Sequence, residues 1–402
     1  MNLPPRPPTT INSRGHSPEF EKIIQEKSHN FVGREFVFTA INNFLHRHRH
    51  GYFTIIGEPG SGKSAILAKY VADNPQVIYY NAELEGKNRA DEFLRNICTQ
   101  LINQYSLNYA SLPDNATEGS WFFSNLLQQI SDELEPHPKL IIAIDGLNCI
   151  DRNSQPPGTN LFYLPRYLPD GVYFILTRRP FLREKSGLLI ETPSQSLDLA
   201  DYPEENRRDI QAYMQNYLTP QEIPSTPLKK GGDIVPLLSG GRGNLKSWLS
   251  NHQINEEEFS DRTTTLSENN FMYVSQIISA IPSLRDATRT VSSANADNFY
   301  PQPFQYNQLS PALEAYYQQH LHKMIPPEQV TEHSIDVLNV LIQQQKAISV
   351  QEIAQIIDTD EYEVEEVLEN WLEFLHQEQI DAETYYSLYH SSFRHWLGTQ
   401  QI

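Results

Sequence analysis

Gly57-Glu58-Pro59-Gly60-Ser61-Gly62-Lys63-Ser64 follows an apolar, β-rich run, Tyr52 to Ile56, and precedes a helix-like run, Ala65 to Val71. The spacing G-x-x-x-x-G-K-S in a strand–loop–helix setting reads as a phosphate-binding loop. Its glycines let backbone N–H groups turn inward around an anion at the start of a helix. Gly57, Glu58, Pro59, Gly60, Ser61, Gly62, Lys63, Ser64 and Ala65 are thus expected to wrap the phosphates of a nucleotide. Lys63 can reach the outer phosphates, and the Ser64 hydroxyl can ligate Mg²⁺. An ordinary glycine-rich turn would need strand, loop, Lys-Ser pair and helix to coincide by chance.

The next informative stretch is Leu140-Ile141-Ile142-Ala143-Ile144-Asp145-Gly146. A continuous apolar run reads as a strand buried on both faces, as in a parallel sheet. Its acidic residue stands at the C-terminal end, where open α/β sheets bind ligands. Asp145 therefore reads as the Mg²⁺-associated carboxylate rather than a turn or capping aspartate. Val172 to Thr177 is a further buried strand and runs into Arg178-Arg179-Pro180. An arginine at this edge can sense or stabilise a terminal phosphate, and Arg179, next to the proline, is the better candidate of the pair. With a strand at Val77 to Tyr80 and helices over 91–105 and 120–134, the alternation predicts an α/β fold with a mainly parallel sheet.

The chain of 402 residues is too long for one typical core. Its pattern divides into a flexible N-terminal segment with a short helix (1–30), a P-loop NTPase domain (31–196), a helical domain with a linker (197–300) and a winged-helix-like domain (301–402). Pro- and Gly-rich residues from Thr219 to about 234, and a Ser-, Asn- and Tyr-rich stretch over 282–311, read as connections. The formal net charge of −19 opposes nucleic acid and anionic lipid unless a basic patch is segregated. His46-Arg47-His48-Arg49-His50 fills a helix C-terminus, which suits the helix dipole without any polyanion. No apolar run approaches the ~20 residues a membrane helix needs. Two cysteines, Cys98 and Cys149, and no apolar leader point to a cytoplasmic setting. Cys98 sits in the apolar pattern of its helix and reads as packed rather than reactive.

In the last hundred residues, three helices followed by a hairpin suggest a winged helix. The helix that would enter a DNA groove carries Glu361, Glu363, Glu365, Glu366, Glu369 and Glu373 and no Lys or Arg. Such a face repels phosphates, so a protein contact is expected there instead.

Taken in order, these motifs resemble the STAND class of P-loop NTPases, which holds the NACHT and NB-ARC switch proteins, over roughly residues 30–398. Phe31-Val32-Gly33-Arg34-Glu35 is similar to that family's V-G-R-E segment near the adenine. Gly57 to Ser64 is similar to its Walker A motif, Ile144-Asp145-Gly146-Leu147 to the NACHT Walker B, and Leu176 to Pro180 to its sensor 1. Glu268 to Val274 looks like its G-N-F-L-Y-V helix. Leu388 to Phe393 looks like the winged-helix segment with the MHD-type histidine. The resemblance implies that Val32, Gly33 and Arg34 lie near the base and that His390 contacts the nucleotide in a closed, ADP-bound state. NACHT Walker B motifs commonly continue with two acidic residues, whereas Asn148 and Cys149 stand here. A carboxylate to activate water is not evident, unless Asp151 substitutes. No effector domain is evident ahead of residue 30 and no repeat array after 398.

The resemblance implies an ATP/ADP-dependent switch that changes conformation, self-associates or meets protein partners in signalling or defence, and hydrolyses ATP slowly at most. The alternatives are a DNA-acting AAA+ ATPase of the origin-recognition type and a nucleotide-locked scaffold without turnover.

Overall fold

A computed structural model describes residues 16–133, 139–181, 186–218, 244–251, 253–280, 311–327, 330–344, 346–380 and 383–400. The expected connections over 219–234 and 282–310, and the tail over 1–15, lie outside these residues. The chain divides into two compact units. One comprises Gly62–Tyr202 and the residues up to Gly57; the other comprises Glu58–Ser61 and the residues from Pro203 onward.

The first unit contains, in chain order, α1 (Pro18–Ser28), α2 (Glu35–Arg47), β1 (Gly51–Ile56), α3 (Lys63–Asp73), β2 (Ile78–Asn81), α4 (Ala90–Gln104), α5 (Trp121–Glu133), β3 (Leu140–Asp145), β4 (Val172–Arg178) and β5 (Ser194–Asp198). The strands form one sheet in the order β2-β3-β4-β1-β5, with every pairing parallel. The apolar runs of β1, β3 and β4 explain their central places. Phe53, Ile55, Ile142, Ile144, Phe174 and Ile175 are all fully buried, as a sheet covered on both faces requires. The α/β fold with a parallel sheet is therefore as the sequence predicts. β5, Ser-Gln-Ser-Leu-Asp, escapes the sequence pattern because only Leu197 in it is buried.

Parallel strands place all their C-terminal ends on one edge. Gly57, Gly62, Lys63, Asp145 and Thr177 therefore share that edge. Because β4 lies between β1 and β3, Thr177 comes from the strand separating the loop strand from the Asp145 strand.

Cys98 packs inside α4, and burial pushes its thiol up to about 12. Cys149 is only partly buried and accepts a 3.3 Å contact from Asn148 Nδ2. In native protein, iodoacetamide should modify Cys149 alone, with Cys98 reacting only after unfolding. Peptide mapping that found Cys98 alkylated in the folded chain would contradict this packing.

In the second unit, α6 (Pro203–Leu218), α7 (Asn244–Asn251), α8 (Glu256–Leu266) and α9 (Phe271–Ala280) pack Ile210, Met214, Leu245, Leu249, Phe259 and Val274 into one apolar cluster. A second cluster joins α10 (Pro311–Met324), α11 (Glu332–Gln343), β6 (Ile348–Ser349), α12 (Val350–Ile357), α13 (Glu361–Trp371), β7 (Leu375–Ile380), β8 (Glu383–Leu388) and α14 (Ser391–Leu397). β6, β8 and β7 form a three-stranded antiparallel sheet. α12 starts on a capping box: the Ser349 hydroxyl accepts from the Glu352 N–H while the Glu352 carboxylate accepts from the Ser349 N–H. α13 stops at Trp371, and Leu372–Phe374 tighten into a 3₁₀ turn before β7, so Glu373 lies beyond the helix.

Candidate functional site

The loop residues are built by the strand–turn–helix junction. β1 ends at Ile56, and α3 begins at Lys63 directly behind Gly62, whose φ of 93° is left-handed and open to glycine without strain. The Lys63 ammonium donates to the Gly57 carbonyl at 2.7 Å, drawing the two ends of the loop together. A Cβ added to Gly62 would stand 3.7 Å from Nη2 of Arg34. Arg34, although charged, is 2% exposed and takes left-handed backbone at the start of α2 (φ 68°). The sequence-predicted Arg34, Gly57, Gly62, Lys63 and Ser64 are thus gathered around one turn of the first unit, with Ala65 following in α3 and Val32 and Gly33 immediately before Arg34.

Asp145 lies at the end of β3 with a 1% exposed side chain. Its Oδ1 accepts from the Ser64 hydroxyl at 3.2 Å and from the Thr177 hydroxyl. Its Oδ2 accepts from Asn81 Nδ2 at 3.2 Å and from the Tyr79 hydroxyl at 3.4 Å. Burial, and then the nearby charge of Glu83, raise its carboxyl to about 6, while the Thr177 and Ser64 hydroxyls pull it back. Thr177 also accepts from the Gly146 N–H at 2.9 Å, so one hydroxyl fixes both the carboxylate and the backbone after it.

Ser64 Oγ and the Asp145 carboxylate are hard oxygen donors of the type Mg²⁺ takes. A buried carboxylate without an ion-pair partner among the described residues, and raised by its surroundings, fits a site meant to face a cation. Among those residues no group of three or more His, Cys, Asp or Glu could hold a metal without help. Phosphate oxygens would have to complete the ligand set.

Arg179 follows the last residue of β4 and is 9% exposed. Arg178 is turned elsewhere: its guanidinium lies 3.3 Å from the Phe181 ring centroid and reaches the Ser186 carbonyl at 3.4 Å. Burial, with Arg152 nearby, lowers Arg178 to about 10. Asp151 is occupied in capping a short turn, accepting from the Asn153 N–H at 3.0 Å.

The other sequence-predicted residues belong to the second unit. Glu58, Pro59, Gly60 and Ser61 group there. The Asn270 side chain donates to the Pro59 carbonyl at 2.8 Å, and the Met272 N–H donates to the Gly60 carbonyl at 3.1 Å. His390 is 1% exposed, and both its ring nitrogens are engaged within that unit. Nε2–H donates to the Ser267 carbonyl at 3.0 Å, and Nδ1 accepts from the Ser392 N–H at 3.1 Å. Burial lowers its pKa, so the ring is held neutral, against the opposing pull of Glu268.

Sequence reasoning missed Tyr79, Asn81, Glu83 and Thr177. The available signal was a polar residue ending each of two apolar runs. Asn81 closes β2 directly beside Asp145 in register, and Thr177 closes the run of β4 one residue past the pair Leu176 and Ile144.

Residues 30–174 match the family model described as an AAA ATPase domain. The fold and the loop are those of a P-loop NTPase. The solved structures similar to this chain include a STAND protein with a tetratricopeptide repeat sensor from Pyrococcus horikoshii (16% identity, TM-score 0.34, 93% of this chain and 44% of that one). Others are Drosophila ORC bound to DNA (12%, 0.40, 94% and 97%) and the RuvB Holliday junction branch migration motor of Thermotoga maritima (10%, 0.31, 94% and 100%). The chain spans less than half the length of the Pyrococcus protein. Comparison with curated proteins returned no match. Among the described residues no helix is long and apolar enough to cross a membrane.

Proposed function

We propose that this chain is an ATP/ADP-dependent conformational switch of the STAND type, which self-associates or engages protein partners and turns ATP over slowly at most. The observation carrying this reading is the 3.2 Å link from Ser64 to a buried Asp145 behind the Lys63 loop. It supplies the nucleotide and metal half of a P-loop site, while Asn148 and Cys149 stand where NACHT proteins commonly carry further carboxylates. In this reading Lys63 neutralises the outer phosphates and Arg179 the terminal one. Ser64 and Asp145 hold Mg²⁺, which when bound offsets phosphate charge, and Val32, Gly33 and Arg34 border the base. The sheet and helices from α11 to β8 are read as a winged helix serving protein contact.

Size-exclusion chromatography with light scattering, run on the full chain in MgADP and in MgATP, tests the switch. A difference in hydrodynamic size or mass between the two nucleotides is expected; identical profiles would count against switching. Duplex DNA added in the same instrument probes the winged helix. Salt-dependent DNA binding at low-micromolar concentration would favour the origin-recognition reading instead.

A further inference from the structure

Glu83 lies two residues beyond Asn81, the last residue of β2, on the edge of the sheet that carries the loop and Asp145. A Cβ built on Gly146 would come within 2.6 Å of Glu83 Cγ and 3.4 Å of its Cδ. The carboxylate-bearing side chain is therefore folded over the residue after Asp145. Its charge is felt at Asp145, second only to burial. The side chain is exposed, so its carboxylate meets water.

Its placement is built by Asn81. The Asn81 Oδ1 accepts from the Glu83 N–H at 2.8 Å, an Asx turn that fixes the chain as it leaves β2. The Nδ2 of the same amide donates to Asp145 Oδ2 at 3.2 Å and to the Tyr79 hydroxyl at 3.1 Å. One side chain thus ties the backbone of Glu83 to the carboxylate that faces Ser64. Asp151, the substitute the sequence offered, is spent on its own turn.

We propose that Glu83 supplies, from the neighbouring strand, the water-directing carboxylate that the residues following Asp145 lack, with Asn81 as its positioning residue. The inference rests on reading the loop as an ATP-hydrolysing site. A Glu83 oxygen accepts a hydrogen bond from water and takes its proton as the water oxygen bonds to the γ-phosphorus. The bond from that phosphorus to the bridging oxygen breaks, its electron pair leaves with ADP, and the proton passes from Glu83 to solvent. ATP and water thus give ADP, inorganic phosphate and a proton.

Single-turnover hydrolysis of γ-labelled ATP by the full chain, beside titration with fluorescent ADP, tests this. Glu83→Gln should lower the rate about a hundredfold or more while leaving ADP affinity within about threefold. Glu83→Asp should keep part of the rate, and Asp151→Asn should stay within about twofold of wild type. A Glu83→Gln rate within about twofold of wild type would overturn the proposal. So would a wild type that binds ATP and never cleaves it. Failure of wild type to bind fluorescent ADP would instead remove the nucleotide site itself, and the proposal with it.

Discussion

Lys63→Ala is expected to weaken binding of both MgADP and MgATP about ten- to a hundredfold, measured by isothermal titration on the full chain. The reasoning starts from charge. A charge-assisted hydrogen bond contributes about 1.5–3 kcal/mol, and each 1.4 kcal/mol is a factor of ten. Lys63 has three N–H donors. One spans the loop to the Gly57 carbonyl at 2.7 Å, which holds the ammonium at the loop where phosphate oxygens would meet it. The loop's backbone N–H groups are untouched by the substitution, so affinity should fall rather than vanish. Lys63 lies at the very start of α3, where alanine is a good helix former, so the fold should survive. An affinity unchanged within twofold would remove Lys63 from the site.

The largest expected loss of stability comes from Phe174→Ala. Phe174 is fully buried in β4 between β3 and β1, opposite Ile142 on one side and Tyr52 on the other. Its ring stacks on Tyr52 at 4.9 Å and 17° and meets Phe123 edge-on at 6.3 Å. Truncating such a phenylalanine removes its transfer free energy and leaves a cavity that a sheet covered on both faces cannot easily close. The cost should be about 3–5 kcal/mol. Against a typical domain stability of about 5–15 kcal/mol, that is a large fraction. Urea unfolding followed by far-ultraviolet circular dichroism should show a markedly earlier transition of the first unit. A loss below about 1 kcal/mol would mean that the packing between β1 and α5 is looser than described.

Much of the fold was legible because burial on both faces leaves an unmistakable trace in sequence. Ile141 to Ile144 and Phe174 to Leu176 carry no polar interruption, and only a covered parallel sheet asks for that. β5 left no such trace, because it buries only Leu197, whereas β2 at the opposite edge is buried throughout. The order β2-β3-β4-β1-β5 was equally silent, since each pairing joins residues far apart in the chain. The candidate site divides along the same line. Lys63, Ser64 and Asp145 announce themselves through local spacing and strand position. Tyr79, Asn81, Thr177 and Glu83 acquire meaning only when β2 and β4 are laid on either side of β3, and nothing within a few residues of each reveals that neighbour. His390 is a different case. Its assignment came from the family resemblance alone, and in the structure its neutral ring holds Ser267 and caps α14.

Gly146 takes a φ of 78° and leaves room where a side chain would begin, and Glu83 fills that room. Positions 83 and 146, 63 residues apart in the chain, are therefore not free to vary independently. A methyl group at 146 would meet two obstacles, its own backbone angle and the Glu83 stem. Shortening residue 83 would lift only the second. A side chain at 146 would press on the Glu83 stem and swing it away from the residue after Asp145, so the bare backbone at 146 keeps the acid where it stands.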